Sequence, residues 1–302
     1  MNHQEDEYWE RVRCPLCEGG DSEPISAATP NDLRIRGQFL AVRCRSCGLV
    51  YANPRLNQHA MTVAYQSLDE KGLGEPSPIR NRSGVLTRWW RHATQRQVVG
   101  DWIDQGPVLD VGCHTGNLLV ELRERGFEVR GIEMSAHGVQ ACRERGLEVS
   151  QGLVENLSLP CEGFGTILLS HVLEHVREPL ATLRKLRAAL IPGGRIVIAV
   201  PNSGGVVARL FGPYWHGWDP PFHLTHFEPR TLAAIIIKAG FQLDCVRTRG
   251  LPEDVTRSLA KMTKRPARAL WARAVLLPPS WLIGKVSLGG EICAVGQRPV
   301  SG

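Results

Sequence analysis

Four cysteines near the start of the chain stand in two pairs whose spacing suits a metal ion. Cys14 and Cys17 form RCPLC, and Cys44 and Cys47 form RCRSCG, with 26 residues between the pairs. Each C-x-x-C puts two thiolates on one tight turn, and two such turns can close a tetrahedral sulfur site suited to Zn²⁺. A site closed by four protein ligands predicts a structural zinc. The alternatives are a redox pair or scattered core cysteines.

Histidines are concentrated in two later segments of the chain, where they could remove a proton from a bound substrate. The first segment contains Ser170, His171, Glu174 and His175, and the second contains Tyr214, His216, Asp219, His223 and His226. We interpret His223 as the general base, with His175 and His171 as further catalytic candidates. The alternative is that Trp215, Trp218 and Phe222 of the second segment fill a core and the histidines satisfy buried amides.

A third chemical signal is the run VLDVGCHTG, an apolar strand followed by a glycine-bearing turn and the start of a helix. Gly112 and Gly116 let the backbone approach a ligand, and the amides at the helix start point towards it. Asp110 precedes the turn, and Glu133 ends the next apolar run, where an acid can bind ribose hydroxyls. These residues fit a dinucleotide or another adenosine cofactor equally well.

The elements that would position these residues alternate between helix and strand. A helix is predicted over 84–104, and strands are predicted at PVLDVG, FEVRGIE, LEVSQG, GTILLS and RIVIAV, with helices between them. This alternation predicts an α/β fold in which helices cover both faces of a parallel sheet. Ligands then bind at the carboxyl ends of the strands, where both histidine segments and the glycine turn lie.

Composition is consistent with one large domain and a small accessory module. The chain has 302 residues, 43% of them hydrophobic, and a formal net charge of +6. No apolar run is long enough to span a membrane, and the polar start shows no signal peptide, so we expect a cytoplasmic protein. Nine cysteines in such a compartment argue against a disulfide framework.

The predicted organisation is a zinc-ribbon module over 1–53, a linker or lid over 54–82, and the α/β domain over 83–302. Within that domain, residues 250–285 form a predicted helical insertion before the last strand. It mixes apolar and basic residues, so it could cap the substrate, form a homodimer contact or lie against a membrane surface, of which capping or packing is favoured. A second basic group lies between Arg80 and Arg96, although a solvated helix face is the commoner explanation of such groups.

The runs VLDVGCHTGNLL, GIEMS, LLSHVLEHVREP and LIPGGRIVIAVPN occur here in an order and spacing that resemble the class I S-adenosylmethionine-dependent methyltransferases. The cysteine pairs ending in CGLVYANPR and the run FHLTHFEPRTLAAIIIKAGF are similar to a subgroup with an N-terminal zinc ribbon. That subgroup resembles ubiquinone-type O-methyltransferases and methyltransferases of sugars and secondary metabolites. The resemblance implies a seven-stranded, Rossmann-like, doubly wound sheet.

The resemblance also implies S-adenosylmethionine as cofactor and assigns roles to residues. The implied cofactor contacts are Asp110, Gly112, Cys113, Gly116, Glu133, Met134, Leu153, Val154 and Ser170. His114 stands where the family usually has a third glycine, so its side chain should point outward. In ubiquinone-type relatives an acid occupies the position of His171 and, with the pair matching Glu174 and His175, holds a divalent metal. His171 argues against magnesium here, because Mg²⁺ prefers oxygen ligands.

Three functions remain open at the level of sequence. The first is methyl transfer to a small-molecule acceptor, at a hydroxyl or carbon of a sugar, nucleotide-sugar or secondary metabolite. The second is methylation of an RNA base, which the zinc ribbon and basic groups would suit. The third is a non-catalytic scaffold that binds the cofactor and a partner. The loop SHVLEH favours the first, because it lacks the proline and aromatic residues of many base-binding loops.

Overall fold

The computed structural model describes residues 8–28, 39–70, 102–103, 106–250, 252–263 and 289–300. Its N-terminal part is a group of short strands followed by one helix, in chain order β1 (Trp9–Glu10), β2 (Ser22–Ala28), β3 (Phe39–Cys44), β4 (Val50–Ala52), β5 (Arg55–Leu56) and α1 (Gln58–Glu70). The strands predicted at FLAVRC and LVYANP correspond to β3 and β4. Helix α1 lies in the segment predicted to be a linker or lid, and its start is capped by Asn57, whose side chain accepts the amide of Ala60.

The centre of the molecule is a seven-stranded sheet. Its first five strands are β6 (Val108–Val111), β7 (Val129–Glu133), β8 (Glu148–Gln151), β9 (Phe164–Ser170) and β10 (Leu190–Pro201). A two-residue strand, β11 (Thr225–His226), lies outside this sheet, which is completed by β12 (Gln242–Arg249) and β13 (Glu291–Gln297). The spatial order is β12-β13-β10-β9-β6-β7-β8. The strands from β10 to β8 are parallel, and β13 is antiparallel to both of its neighbours.

The helices of this domain alternate with the strands, as the pattern predicts. They are α2 (Asn117–Glu124), α3 (Ala136–Glu144), α4 (Pro179–Ala189), α5 (Val206–Phe211), α6 (Pro229–Lys238) and α7 (Pro252–Thr263). Helix α3 begins after Ser135, whose hydroxyl accepts the amide of Gly138. The predicted helix over 84–104 lies almost entirely outside the described residues, and so does the insertion beyond Thr263.

Both faces of the sheet are buried, which confirms the doubly wound architecture. Successive residues of β9 point to opposite faces: Ile167 belongs to a cluster with Leu183 of α4 and Ile235 of α6, whereas Leu168 packs with Leu122 of α2. Within the described residues, no helix is both long and apolar enough to cross a membrane.

The N-terminal strands are joined to the large domain by backbone pairing. A four-stranded sheet has the order β11-β4-β3-β2, and Val50 and Tyr51 of β4 pair with His226 and Thr225 of β11. Tyr51 is buried in the same hydrophobic cluster as Ile167 of the central sheet. The ribbon strands and a loop of the large domain therefore share one sheet, although they lie far apart in the sequence.

Charged side chains also hold the N-terminal strands against the large domain. Arg55 is almost fully buried, and its guanidinium donates to Glu10 at 2.6 Å and to the carbonyl of Arg177 at 2.7 Å. Lys238, at the end of α6, donates to the carbonyl of Leu16 in the first cysteine turn at 2.7 Å. These bonds hold the N-terminal strands against two separate parts of the large domain.

Candidate active site

The glycine turn after β6 adopts a backbone that glycine permits and most residues do not. Gly112 and Gly116 both have φ of 74°, in the left-handed region. A Cβ on Gly112 would lie 2.6 Å from Cγ2 of Val172, and one on Gly116 would lie 2.4 Å from Leu147. His114 also has a positive φ, 54°, and its side chain is exposed, as the sequence predicts for a residue replacing glycine.

Two acids border this turn at the carboxyl ends of β6 and β7. The carboxylate of Glu133 accepts the amides of His114 at 2.9 Å and Ser135 at 2.8 Å, which ties the two strand-to-helix turns together. Asp110 is buried, and burial together with the nearby charge of Glu133 raises its pKa to about 7. A cationic ligand group beside Asp110 would favour the ionised carboxylate and lower this pKa.

The remaining predicted cofactor residues lie at or just after the ends of neighbouring parallel strands, and so along the same edge of the sheet. Met134 and Ser170 are exposed there, Leu153 is half-buried, and Val154 is buried. Cys113 differs from the others, because its side chain points into the core and its Sγ lies 4.0 Å from that of Cys142. Only the backbone of Cys113 can therefore face a ligand at this turn.

His171 follows β9 in a left-handed backbone conformation, with φ of 55°. Its imidazole lies between two buried carboxylates: Nε2 is 2.8 Å from Glu291, and Nδ1 is 3.3 Å from Glu174. Desolvation acts against the imidazolium, but the two carboxylates outweigh it and raise the pKa of His171 well above its usual range. Glu291 also pairs with Arg249, so His171 belongs to a network of alternating charges.

The two predicted histidine segments meet at a second cluster, formed by Glu174, His175 and His223. The imidazole rings of His175 and His223 are 4.6 Å apart and nearly perpendicular. Nδ1 of His175 lies 3.1 Å from the carbonyl of Phe222, and Nδ1 of His223 lies 2.8 Å from the carbonyl of Gly217. Burial, together with the neighbouring His223, lowers the pKa of His175 to about 4.

The aromatic part of the second segment is largely internal. Trp215 is fully buried and Phe222 nearly so, while Trp218 packs against the ring of His226 at 4.8 Å. An apolar cleft lies between these residues and the ribbon strands, with Phe39, Leu56, Trp218, Pro221 and His223 among its lining. Aromatic packing therefore supports the histidines, and one side of His223 borders the cleft.

Two residues of this site were missed from the sequence. Glu291 and Arg249 lie at the facing ends of β13 and β12, where Arg249 is paired with Glu291 in register. Glu291 meets His171 only because β13 inserts between β12 and β10, and Arg249 joins the site through its pair with Glu291. The one available signal was an acid at the start of the otherwise apolar strand EICAVGQ.

The four N-terminal cysteines converge as their spacing predicts. Sγ of Cys14 lies 3.5 Å from that of Cys47, and Sγ of Cys17 lies 3.4 Å from that of Cys44. The potential ligand atoms all lie within 4.8 Å of one another. Each pair sits on a tight turn, since the amide of Glu18 bonds to the carbonyl of Cys14 and that of Gly48 to Cys44. This arrangement is consistent with a zinc ribbon.

A seven-stranded sheet in this order, with its last strand antiparallel, is the class I methyltransferase fold. Residues 84–246 match the family described as a methyltransferase domain, which is more than half of the 302 residues. The chain therefore belongs to this family, and it is an S-adenosylmethionine-dependent methyltransferase.

Named relatives agree with this assignment. The ubiquinone biosynthesis O-methyltransferase of Xanthomonas euvesicatoria pv. vesicatoria (strain 85-10) is 30% identical over 177 residues, which cover 52% of this chain and 71% of the relative. That of Idiomarina loihiensis is 27% identical over 187 residues, with coverage of 53% and 75%. A crystal structure of an S-adenosylmethionine-dependent methyltransferase from Archaeoglobus fulgidus has a TM-score of 0.51 and 20% identity, covering 77% of this chain and 99% of that one. This structural likeness shows the fold alone.

Proposed function

We propose that the protein transfers the methyl group of S-adenosylmethionine to a hydroxyl or carbon of a small molecule, such as a sugar, nucleotide-sugar or secondary metabolite. The observation that carries the proposal is the Glu174, His175 and His223 cluster at the carboxyl edge of the sheet. The O-methyltransferase relatives support a hydroxyl acceptor. The apolar cleft that borders His223 has a volume of only about 20 Å³, which is room for about one water molecule, so the acceptor would bind outside it.

The chemistry assigned to the protein is alignment and proton removal. Methyl transfer from a sulfonium is an in-line displacement, so the reacting atoms must be held in line and a hydroxyl must lose its proton. A carbonyl can only accept a hydrogen bond, so the contact with Gly217 makes Nδ1 of His223 the protonated nitrogen. Nε2 of His223 is then the proton acceptor.

Cofactor recognition is proposed for the edge formed by β6, β7, β8 and β9. The positively charged methionine part of the cofactor would lie by Asp110, and its charge would stabilise the buried carboxylate. Glu133 would give up one of the two hydrogen bonds that it accepts from backbone amides and would accept hydrogen bonds from ribose hydroxyls instead. The backbone at Gly112 and Gly116, together with Met134, Leu153, Val154 and Ser170, completes the proposed contacts.

His223→Gln provides the test of the proposed base. We expect turnover to fall by about 10²–10⁴-fold, the usual contribution of a general base, while cofactor affinity is unchanged. His137→Gln is the matched control, because His137 is exposed on α3. The class of acceptor is found by supplying isotopically labelled S-adenosylmethionine to cell extracts, separating small molecules from RNA, and measuring which of the two fractions gains the labelled methyl group. Turnover by His223→Gln at the control rate would refute the assignment of the base.

We also propose that Cys14, Cys17, Cys44 and Cys47 bind a structural Zn²⁺, which the donor set and its compact geometry support. Burial raises the pKa of Cys47 to about 11, and a bound cation would favour the thiolate instead. A protein that keeps these thiols reduced belongs in the cytoplasm, which is the location we propose. The measurement is the zinc content of the purified chain, which Cys44→Ser should abolish.

A further inference from the structure

Helix α7, which begins the predicted insertion, packs against the large domain with polar residues instead of apolar ones. Asp254, Thr256 and Ser258 are buried, whereas Leu259 and Met262 are exposed. This is the reverse of the arrangement of most surface helices, which bury an apolar stripe. Burying polar groups is costly unless they are hydrogen-bonded, and a polar network that is hydrogen-bonded fixes one geometry. The contacts of this polar face therefore indicate what α7 does.

The beginning of α7 is held by strand ends of the central sheet. The carboxylate of Asp254 lies directly against the backbone of Gly290, where a Cβ would overlap Oδ2. The carbonyl of Gly290 in turn accepts the amide of Asn202 at 2.8 Å, just beyond the end of β10. Gly290 also precedes Glu291, whose carboxylate contacts His171. Helix α7 therefore takes its position from the strand ends that carry the site.

Further along α7, Ser258 and Lys261 bind both polar backbone groups of His216. The buried hydroxyl of Ser258 accepts the amide of His216 at 3.1 Å and donates to the carbonyl of Asp254, one turn earlier, at 2.7 Å. Nζ of Lys261 donates to the carbonyl of His216 at 3.5 Å. The imidazole of His216 also faces α7, since its Nε2 lies 3.4 Å from Oδ1 of Asp254. The backbone of His216 is therefore held by α7.

The short 3₁₀ turn His216–Trp218 connects α7 to the proposed base. The carbonyl of Gly217, at the centre of this turn, lies 2.8 Å from Nδ1 of His223. The turn has little freedom of its own, because Gly217 packs so closely on the indole of Trp215 that a Cβ would overlap the ring. A shift of α7 would therefore move the carbonyl that selects the tautomer of His223.

We propose that α7 is the element that positions His223, and that Ser258 is its main positioning residue. This role rests on the proposed function, in which Nε2 of His223 removes the proton of the acceptor. The hydroxyl of Ser258 holds the turn so that the carbonyl of Gly217 accepts from Nδ1, which leaves the lone pair of Nε2 available. Residues of α7 thus act on the reaction without contacting the acceptor.

The test measures the tautomer of His223 in the full chain and needs no acceptor. In protein labelled with ¹⁵N-histidine, the NMR shifts of the two imidazole nitrogens show which one is protonated, and His223→Gln identifies the signals. We expect Ser258→Ala to lower the ratio of Nδ1-protonated to Nε2-protonated His223 by about 2–10-fold, the effect of losing one neutral hydrogen bond. Thr263→Ala is the matched control and should leave the ratio unchanged, because Thr263 makes the same bond to the carbonyl four residues earlier but is exposed.

Turnover provides a second measurement, with labelled S-adenosylmethionine and the small-molecule fraction of a cell extract as the probe. Ser258→Ala should react about 10–100-fold more slowly, since a displacement of about 1 Å can lower a rate by about 10²-fold. Its affinity for the cofactor should be unchanged. Ser258→Cys, whose thiol is a weaker hydrogen-bonding group than the hydroxyl, should react at a rate between those of the alanine variant and the wild type.

The outcomes separate this proposal from the proposed function. An unchanged tautomer ratio in Ser258→Ala, or an equal change in Thr263→Ala, would overturn the positioning role. If Ser258→Ala does not fold, Ser258→Cys decides in the same way, because its weaker hydrogen bond should shift the ratio in the same direction. A shifted ratio, in a protein whose His223→Gln variant keeps its turnover, would refute the proposed base and leave the control of the tautomer by α7 intact.

Discussion

Replacing Gly112 by alanine tests whether the cofactor turn depends on glycine for two separate reasons. The left-handed φ of 74° costs a non-glycine residue about 1–2 kcal/mol. The new Cβ would also lie 2.6 Å from Cγ2 of Val172, and overpacking of this kind costs about 1–3 kcal/mol. We therefore expect Gly112→Ala to lower the free energy of unfolding by about 2–5 kcal/mol in total.

Two companion variants separate these contributions. Gly126 has φ of 91°, and no atom lies within 4 Å of the position that a Cβ would take there. Gly126→Ala should therefore lose only the backbone contribution, about 1–2 kcal/mol. Adding Val172→Ala to Gly112→Ala should recover the overlap contribution, and comparison with Val172→Ala alone completes a double-mutant cycle. The coupling between positions 112 and 172 should then be about 1–3 kcal/mol.

The assays are denaturant unfolding for stability and titration calorimetry for S-adenosylmethionine. Gly112→Ala should bind the cofactor more weakly, because either the turn or the loop carrying Val172 must move. Gly126→Ala, beyond the end of α2, should bind it normally. Equal stabilities of the two alanine variants, or zero coupling with Val172→Ala, would show that the proposed overlap does not determine the choice of glycine.

Other consequences concern charge and metal. Protonation of Asp110 removes the counter-ion of a cationic cofactor, so affinity measured by calorimetry should fall as the pH drops below about 7, and Asp110→Asn should remove this dependence. Zinc chelation or Cys44→Ser should unfold the ribbon, seen as a loss of protection from hydrogen exchange in β3 and β4; unchanged protection would argue against a structural zinc. Arg55→Ala removes a buried guanidinium and should lower the free energy of unfolding by about 2 kcal/mol, measured by thermal unfolding. Arg45→Ala removes only an exposed ion pair and should lower it by less than about 1 kcal/mol. Equal losses of stability in the two variants would contradict the role of burial.

Local signals in the sequence predicted the central strands and helices well. Strand β6, its glycine turn and α2 are encoded by adjacent residues, because an apolar run, Gly112 and Gly116 act over one or two turns of chain. The helix α3 is similarly marked by Ser135 at its start. The convergence of the four cysteines was predictable because a metal ion imposes a known ligand geometry on separated pairs.

Contacts between distant segments could not be predicted in the same way. Strand β11 has only two residues, too few for any periodic pattern, so its pairing with β4 has no sequence signal. The position of Glu291 against His171 depends on the order of strands in the sheet rather than on spacing along the chain. The roles of the candidate site residues, and the division of the chain at 53 and 82, stay predictions.

The pairing of β4 with β11 has an evolutionary consequence. Two residues after His223, the backbone of Thr225 is aligned by Tyr51, so the histidine loop takes its register from the ribbon. A ribbon exchanged between homologues would keep this backbone pairing but would bring different side chains against the histidine loop. Substitutions in the side chains that pack at this pairing should therefore be compensated in the other segment.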